Sequence, residues 1–204
     1  IDGSYQGNAY TNTSNGWLGG TLQLDGVGDY IDLGQPQSMN FTGRPNLTFL
    51  GWFNSNLIEN FDGIIGNANS GDPGQVPINI DVNSNALRLV WGDETAYEIC
   101  SSSAAITDTN KWYHFAVASN TSTFFIYLNG TQVNSCKITK NLRAGSVSWK
   151  IGRGFNGPYD FSGAIDELMV LNVTLNSTQI NYIYNNQSSR FFSRGEQIFK
   201  SINV

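Results

Sequence analysis

The sequence has few charged residues. Only 13% of its 204 residues are Asp, Glu, Lys or Arg, about half the share of an ordinary globular domain. The eleven Lys and Arg residues are scattered singly and the formal net charge is −5, so no positive field would collect polyanions and we expect no nucleic-acid partner. Because few carboxylates take up protons on acidification, we also expect a melting temperature that is nearly flat down to about pH 3.

Long apolar runs are missing as well. No run approaches the roughly 18 to 20 residues of a membrane-spanning helix, so we expect no membrane span. The printed chain begins Ile1-Asp2 and shows no initiator Met, signal peptide or lipidation motif. We therefore expect a processed mature form.

Residues suited to acid–base or nucleophilic catalysis are scarce. His114, the single histidine, alternates with Trp112 and Ala116 along a strand pattern, which favours a satisfied or half-buried imidazole over a general base. No Gly-X-Ser-X-Gly motif is present. Asp166 and Glu167 are adjacent and would face opposite sides of a strand, so they cannot form the carboxylate pair of a glycosidase. We predict that the protein is not an enzyme and has no catalytic residues.

The chain contains only two cysteines, Cys100 and Cys136. Both lie in segments that look extended, and their separation fits no metal-binding motif. We favour a disulfide between them, with two free buried thiols as the alternative. Such a bond would stabilise the fold by about 3 to 4 kcal/mol on the chain-entropy model and would place the protein in an oxidising, extracellular compartment.

Asparagine is abundant, with 25 residues, and eight of these begin an Asn-X-Ser/Thr sequon. Random placement would give roughly four sequons. A single sequon can arise by chance in an Asn-rich loop, but together they predict N-linked glycans on a cell-surface protein. The eight residues are Asn12, Asn40, Asn46, Asn120, Asn129, Asn172, Asn176 and Asn186.

Apolar and polar residues alternate with period two in most of the sequence, which is typical of β-strands. The clearest runs are Leu47–Phe53, Ala86–Trp91, Trp112–Ala118 and Phe124–Leu128. Residues 119–122 connect the last two runs as a hairpin, and Asn129-Gly130 predicts a second tight turn. Further strands are predicted at 20–25, 29–33, 63–67, 77–82, 96–101, 147–152 and 163–171.

One helix is predicted after a cap at Asn176 or Ser177, because Ile180, Ile183 and Tyr184 share one helical face. Strands spaced by 8 to 15 residues without intervening helices indicate an all-β fold. We predict a two-sheet antiparallel jelly-roll sandwich with this one short helix near the C-terminus.

Five stretches of the chain follow one another in a recognisable order: residues 22–34, 47–54, 112–133, 149–154 and 161–180. In their order and spacing they resemble the laminin-G-like, concanavalin A-like lectin and glucanase domains. The resemblance implies the β-sandwich fold. It implies no single function, because this fold carries lectins, adhesins, hydrolases and structural modules.

The resemblance also implies an unusual arrangement of the chain ends. In the family an aromatic first strand usually precedes a segment like residues 2–8, where this chain begins, so an edge strand is expected to be missing. We predict a sandwich domain at 1–189 and a C-terminal tail strand at 190–204. The tail residues expected to contact another subunit are Phe192, Ile198, Phe199, Ile202 and Val204.

A tail strand can fill an open groove in its own subunit or in a neighbouring one. Filling the neighbour's groove is a head-to-tail contact that generates a filament. This arrangement resembles the donor-strand surface filaments of archaea known as threads. We therefore predict an extracellular, pilus-like filament subunit whose partners are identical subunits. A tail that folds back on its own sheet, or a disordered tail, is the alternative.

The alternative function is a secreted lectin-like adhesin that binds the surface glycans of other cells. It depends on aromatic side chains in or near loops, because such rings stack on sugars, although a sandwich also buries many aromatics in its core. The candidates are Tyr10, Trp17, Tyr30, Trp91, Tyr97, Tyr159 and Phe161.

Relatives of this fold often hold a structural calcium ion with carboxylate and carbonyl oxygens, the ligands that Ca²⁺ requires. The resemblance places such ligands at Asp2, Asp25 and Asp166, with Asp29 nearby. The alternative is that Asp25 is a turn residue and that Asp166 supports a bend. Structural calcium and N-linked glycans are the only non-protein components that we predict.

Overall fold

The computed structural model describes residues 2–58, 61–69, 76–93, 95–155 and 159–186. Within these ranges it contains fourteen strands, a 3₁₀ helix at Gln37–Met39 and an α-helix, α1, at Ser177–Asn186. The strands are β1 (Ser4–Gln6), β2 (Tyr10–Gly16), β3 (Gly19–Asp25), β4 (Tyr30–Gly34), β5 (Leu47–Ser55), β6 (Asp62–Gly66), β7 (Ile78–Asn83), β8 (Ala86–Gly92), β9 (Tyr97–Ser101), β10 (Trp112–Ser119), β11 (Thr123–Leu128), β12 (Thr131–Lys137), β13 (Trp149–Ile151) and β14 (Ser162–Leu171).

The strands form two antiparallel sheets of seven strands each. Sheet A has the order β1-β4-β13-β6-β7-β8-β9, and sheet B has the order β12-β11-β10-β5-β14-β3-β2. The inner faces of the two sheets enclose one hydrophobic core, which includes Phe49, Phe53, Trp91 and Phe115. This architecture confirms the predicted all-β jelly-roll sandwich with one short helix.

The central strand β5 is buried on both faces, which explains its continuous apolar sequence. Leu47, Phe49 and Phe53 point into the core between the sheets. Leu50 points outward and packs in a second cluster with Ile180 of α1. The helix therefore covers part of the outer face of sheet B, and its predicted apolar face is the face that docks.

The predicted turns and the helix cap are confirmed. Asn129 and Gly130 both have positive φ (49° and 74°) in the turn between β11 and β12, the conformation that an Asn-Gly turn favours. Asn176 accepts a hydrogen bond from the Gln179 N–H at 2.9 Å, and Gln179 accepts one from the Asn176 N–H at 3.0 Å. This reciprocal capping box fixes the start of α1.

Three strands carried no strand pattern in the sequence: β1, β2 and β12. They are edge strands in the described part of the chain, and the side chains of β2 and β12 are largely exposed on both faces. Without a buried face, a strand needs no apolar alternation and is held by backbone hydrogen bonds.

The two long sides of the sandwich differ. At one side the edge strands β9 and β12 are joined by the Cys100–Cys136 disulfide, which confirms the predicted pairing. Asn134 reinforces this side by donating a hydrogen bond to the Ser101 carbonyl at 2.6 Å. At the other side, where β1 and β2 are the edges, an open cleft of about 460 Å³ runs between the sheets.

The tail lies outside the described residues. The proposed boundary at residue 189 and the tail residues Phe192, Ile198, Phe199, Ile202 and Val204 all belong to that part, so the domain division stays a prediction. Among the described residues, α1 is too short and too polar to cross a membrane.

Candidate functional site

Trp17 is a half-exposed aromatic ring held on a buried one. It lies in the turn between β2 and β3, and 40% of its surface is exposed. Its ring stacks on that of Trp52, with centroids 3.9 Å apart and planes 16° from parallel. Trp52 is 2% exposed and also stacks with Tyr184 of α1, at 5.6 Å. Trp17 is therefore fixed in orientation while part of its surface stays open to solvent. We call this group of three rings the Trp17 stack.

A buried carboxylate holds the turn that carries Trp17. Asp166 lies opposite Trp52 in the register of β14 and β5, and its Oδ2 accepts a hydrogen bond from the Leu18 N–H at 3.0 Å. Its Oδ1 accepts one from the Glu167 N–H at 2.8 Å. Gly16 packs so closely that an added Cβ would lie 2.7 Å from Asp166 Oδ2. The Asp166 carboxylate thus fixes the β2–β3 turn against the sheet.

A row of polar and aromatic side chains crosses the outer face of sheet B beside this stack. The strand registers align Tyr10 with Gln23, Gln23 with Ala164, Ala164 with Asn54, and Asn54 with Trp112. Asn54 and Trp52 are two positions apart on one strand and so share this face. Asn54 Oδ1 is buried and has no hydrogen-bond partner among the described residues. This face therefore offers aromatic rings next to amide groups.

His114 lies beneath the Trp17 stack and is fully buried. Its ring meets Trp52 edge-on at 5.3 Å and lies 5.8 Å from the ring of Tyr184. Within the described residues neither ring nitrogen has a hydrogen-bond partner, whereas the sequence had suggested a satisfied or half-buried imidazole. Burial lowers the pKa of His114 to about 4, so the ring is neutral at neutral pH.

The outer face of sheet A contains a buried ion pair that the sequence reading missed. The Arg88 guanidinium donates hydrogen bonds to both carboxylate oxygens of Asp81, at 2.8 and 2.6 Å, and Asn79 donates one at 2.7 Å. Phe61 covers the guanidinium, with its ring centroid 4.7 Å from Cζ. Burial raises the pKa of Asp81, and the bonds from Arg88 and Asn79 oppose that rise. This buried pair stabilises the face and is closed to a ligand.

Polar residues at every second position of β7, together with a single Arg in the neighbouring strand β8, were the available signal for this ion pair. Asn79 and Asp81 alternate with Ile78 and Ile80 in β7, and Asp81 lies opposite Arg88 in the register with β8. Such a pattern indicates a strand face that buries polar groups in pairs.

The candidate loop aromatics fall into three groups. Trp91 and Phe161 are core residues, 1% and 0% exposed. Tyr30 and Tyr159 are half-buried on the sheet A side, where the Arg153 guanidinium lies 4.0 Å from the Tyr30 ring centroid. The exposed members are Tyr10, Trp17 and Tyr97.

Of the predicted calcium ligands, Asp25 and Asp166 accept hydrogen bonds from backbone N–H groups, as does the nearby Asp29. Asp25 Oδ1 accepts a hydrogen bond from the Val27 N–H at 2.7 Å, and Asp29 Oδ2 accepts one from the Asp25 N–H at 2.9 Å. Asp166 holds the β2–β3 turn, and Asp2 is exposed. Among the described residues no group of three or more His, Cys, Asp or Glu side chains is placed to hold a metal ion. Calcium binding stays a prediction.

The sequon asparagines differ in exposure. Four are exposed: Asn40, Asn46, Asn172 and Asn176. Three are half-buried and use Oδ1 to accept backbone N–H groups: Asn12, Asn120 and Asn129. The side chain of Asn186 lies outside the described part. Because the glycan attaches to the amide nitrogen, the exposed group is the more accessible to modification.

The cleft between β1 and β2 is mostly apolar. Hydrophobic side chains from both sheets reach it because the edges of the sandwich stay apart there, and Tyr5 and Thr11 join the edges through one hydroxyl contact of 2.5 Å. Its hydrophobic lining consists of Leu18, Leu22, Ile31, Leu33, Ile151, Ile165 and Leu168. The cleft is therefore an open, largely apolar groove at one side of the sandwich.

The fold and the family comparison agree. A family model described as the concanavalin A-like lectin/glucanases superfamily, Laminin_G_3, matches residues 25–181. The chain belongs to this superfamily, as the resemblance predicted. The comparison with curated proteins finds no match.

Solved structures share the sandwich at low sequence identity. Domain 4 of AbnA, an extracellular GH43 arabinanase from Geobacillus stearothermophilus in complex with arabinotriose, is 17% identical with a TM-score of 0.68; the match covers 87% of this chain and 82% of that one. The binding domain of Paraclostridial Mosquitocidal Protein 1 is 14% identical with a TM-score of 0.73, covering 91% and 47%.

The ligand binding domain of botulinum neurotoxin serotype D, in complex with N-acetylneuraminic acid, is 17% identical with a TM-score of 0.70, covering 91% and 46%. The chain thus spans about half the length of the toxin binding domains. At such identities the similarity shows the fold alone. The two toxin domains are described as binding domains, and the arabinanase domain is in complex with arabinotriose.

Proposed function

We propose that the protein is an extracellular, non-enzymatic carbohydrate-binding module and that Trp17 is its stacking residue. The main support is the Trp17 stack. The indole of Trp17 stacks on that of Trp52 with ring centroids 3.9 Å apart, and 40% of the surface of Trp17 is exposed. The electron-rich face of an indole attracts the C–H groups of a sugar ring. Since the orientation of Trp17 is already fixed, little side-chain entropy is lost when a ligand binds.

The neighbouring side chains suit a hydroxyl-rich ligand. Gln23 and Asn54 share the outer face of sheet B with Trp52, and amides both donate and accept hydrogen bonds. An aromatic platform beside amides is the arrangement that recognises neutral sugars.

Two further observations support this function. An arabinanase domain of the same fold is in complex with arabinotriose, and a neurotoxin domain is in complex with N-acetylneuraminic acid. The Cys100–Cys136 disulfide is compatible with an oxidising, extracellular location. Surface glycans are accordingly the proposed partners.

A glycan array that includes arabino-oligosaccharides and sialylated glycans tests the proposal. We expect binding of at least one glycan class, and we expect Trp17→Ala to weaken it about tenfold, the equivalent of one aromatic contact. Tyr97→Ala is the matched control, because Tyr97 is 47% exposed on the opposite sheet. No glycan binding by the wild type, or equal binding by both variants, would overturn the proposal.

The open cleft favours a second candidate function, the filament subunit. The cleft presents seven aliphatic side chains between β1 and β2, and its neighbour β2 is seven residues long. Residues 197–204, which alternate Ile198, Ile202 and Val204 on one face, would extend about 26 Å as a strand. We propose residues 190–204 of an identical subunit as the occupant, since a free strand edge beside an apolar groove accepts another strand.

Electron microscopy and size-exclusion chromatography test the filament. Deletion of residues 190–204 should leave monomers, and Leu33→Glu in the cleft should do the same. Leu57→Glu, at a position 53% exposed and outside the cleft, is the control that should still polymerise. Filaments that persist after the deletion would exclude this role.

N-linked glycosylation accompanies either function. We propose that the four exposed sequon residues, Asn40, Asn46, Asn172 and Asn176, carry glycans. Intact mass spectrometry before and after an amidase that releases N-glycans measures occupancy, and an unchanged mass of natively produced protein would refute modification.

A further inference from the structure

A small cavity, partly open to solvent, lies at one end of sheet A, beyond the ends of β4 and β6 and before the start of β13. Its volume is about 220 Å³. Four amide side chains line it, those of Gln35, Gln37, Asn40 and Asn67, and none of its lining residues is charged. Its apolar lining comes from Pro36, Met39, Val147 and Trp149.

Asn67 is the unusual residue of this cavity. It is 4% exposed, and its Oδ1 has no hydrogen-bond partner among the described residues. Gly145 packs against its amide so tightly that an added Cβ would overlap Asn67 Nδ2, which holds the side chain in place. A buried amide oxygen without a partner destabilises a fold, and such an atom in a native structure calls for an explanation, for example a bound ligand.

We propose that this amide-lined cavity binds one neutral sugar ring through Asn67. The volume is below the roughly 300 to 1,000 Å³ of sites for drug-sized ligands, so it suits a single ring. Amides pair with hydroxyls as both donor and acceptor, and the apolar lining suits the C–H face of a ring. Carboxylated or phosphorylated sugars find no cationic partner here. The proposal shares its ligand class with the proposed function, but none of its residues belongs to the Trp17 stack.

The neutral sugar ring that binds in the cavity can come from two sources. One is a free glycan, and the other is a glycan on the chain itself, because Asn40 lines the cavity and begins the sequon Asn40-Phe41-Thr42. Thr42→Ala removes the sequon and alters no residue of the cavity lining. Comparison of glycosylated wild type with this variant separates the two sources.

The primary test is an NMR titration of ¹⁵N-labelled, non-glycosylated protein with millimolar N-acetylglucosamine, mannose, galactose and arabinose, and with glucuronic acid as the charged comparison. We expect saturable shifts of the Asn67, Gln35 and Gln37 side-chain amides with at least one neutral sugar and none with glucuronic acid. Asn67→Leu should weaken binding at least tenfold and melt at the same or a higher temperature, because it removes a buried amide oxygen that has no partner among the described residues.

Two controls keep the result interpretable. Gln37→Ala changes an exposed residue of the cavity and should weaken sugar binding even if Asn67→Leu fails to fold. Gln132→Leu removes an exposed amide of β12, outside the cavity, and should leave sugar binding unchanged. Trp17→Ala should also leave these shifts unchanged, which separates failure of the proposed function from failure of this site.

Titration of the glycosylated protein with free sugar shows whether the sugar in the cavity is external or belongs to the chain's own glycan. If only Thr42→Ala and the non-glycosylated protein respond to free sugar, the chain's own glycan fills the cavity; if glycosylated wild type responds too, the ligand is external. The proposal is overturned if no sugar gives saturable shifts in the non-glycosylated protein, or if Asn67→Leu and Gln37→Ala bind as the wild type does.

Discussion

Cys100 and Cys136 join the edge strands of two different sheets, with Cα atoms 5.9 Å apart. The disulfide therefore closes one long side of the sandwich, while the side between β1 and β2 keeps an apolar cleft. The two long sides of the sandwich therefore differ in structure. One side is closed by a covalent bond, and the other presents an open, largely apolar groove.

Removal of this disulfide should destabilise the protein by about 4 kcal/mol, because a loop with a sequence separation of 36 residues is no longer closed in the unfolded chain. The measurement is chemical denaturation of the Cys100→Ser/Cys136→Ser variant against the oxidised wild type. A loss below about 1 kcal/mol would show that the closed side is held by its hydrogen bonds alone.

His114 should make stability depend on pH. Its pKa is about 4 in the folded protein against 6.5 when unperturbed, so between these values the unfolded chain binds a proton that the folded chain does not. Stability therefore falls as the pH drops from about 6.5 to about 4, by about 3 kcal/mol in total.

Denaturation midpoints measured across that pH range test this expectation. His114→Phe should remove the contribution of His114 to this slope. Asp81, whose raised pKa contributes a slope of the opposite sign, is present in both proteins and does not affect their difference. Identical slopes for both proteins would contradict it. The flat profile expected from low charge content did not allow for a fully buried histidine, because burial cannot be read from composition.

Asp166→Ala should loosen the turn that carries Trp17. The Leu18 N–H loses its acceptor, and an unpaired group of this kind costs about 1 to 3 kcal/mol. We expect a weaker near-ultraviolet circular dichroism signal from the Trp17–Trp52 pair and weaker glycan binding. Asp25→Ala, which removes an exposed acceptor of the Val27 N–H, is the control and should change neither readout.

Asp81→Ala should cost about 3 to 5 kcal/mol, because it leaves the Arg88 guanidinium buried without its partner. The double variant Asp81→Leu/Arg88→Met should recover most of that loss, since apolar residues of similar volume replace the whole pair. Urea denaturation of the wild type and both variants measures the difference. A double variant as unstable as the single one would show that the fold needs the charges themselves.

Features that depend on neighbours in sequence could be predicted. The Asn129-Gly130 turn, the cap at Asn176 and the alternating strands β5, β8, β10 and β11 each follow from local conformation and from one buried face. The Cys100–Cys136 pairing followed from the small number of cysteines. The cleft has no local signal in the sequence, because it depends on how far apart two distant edges of the sandwich lie.

The sequence alone determined the class of fold, because period-two burial and turn residues act over a few positions. Only the tertiary structure decided the site. Leu18 and Asp166 are 148 positions apart, and no periodicity connects Trp17 with Trp52 or identifies Asn67 as unpaired. These relations arise from strand order and register, which are settled when distant segments bury a common core.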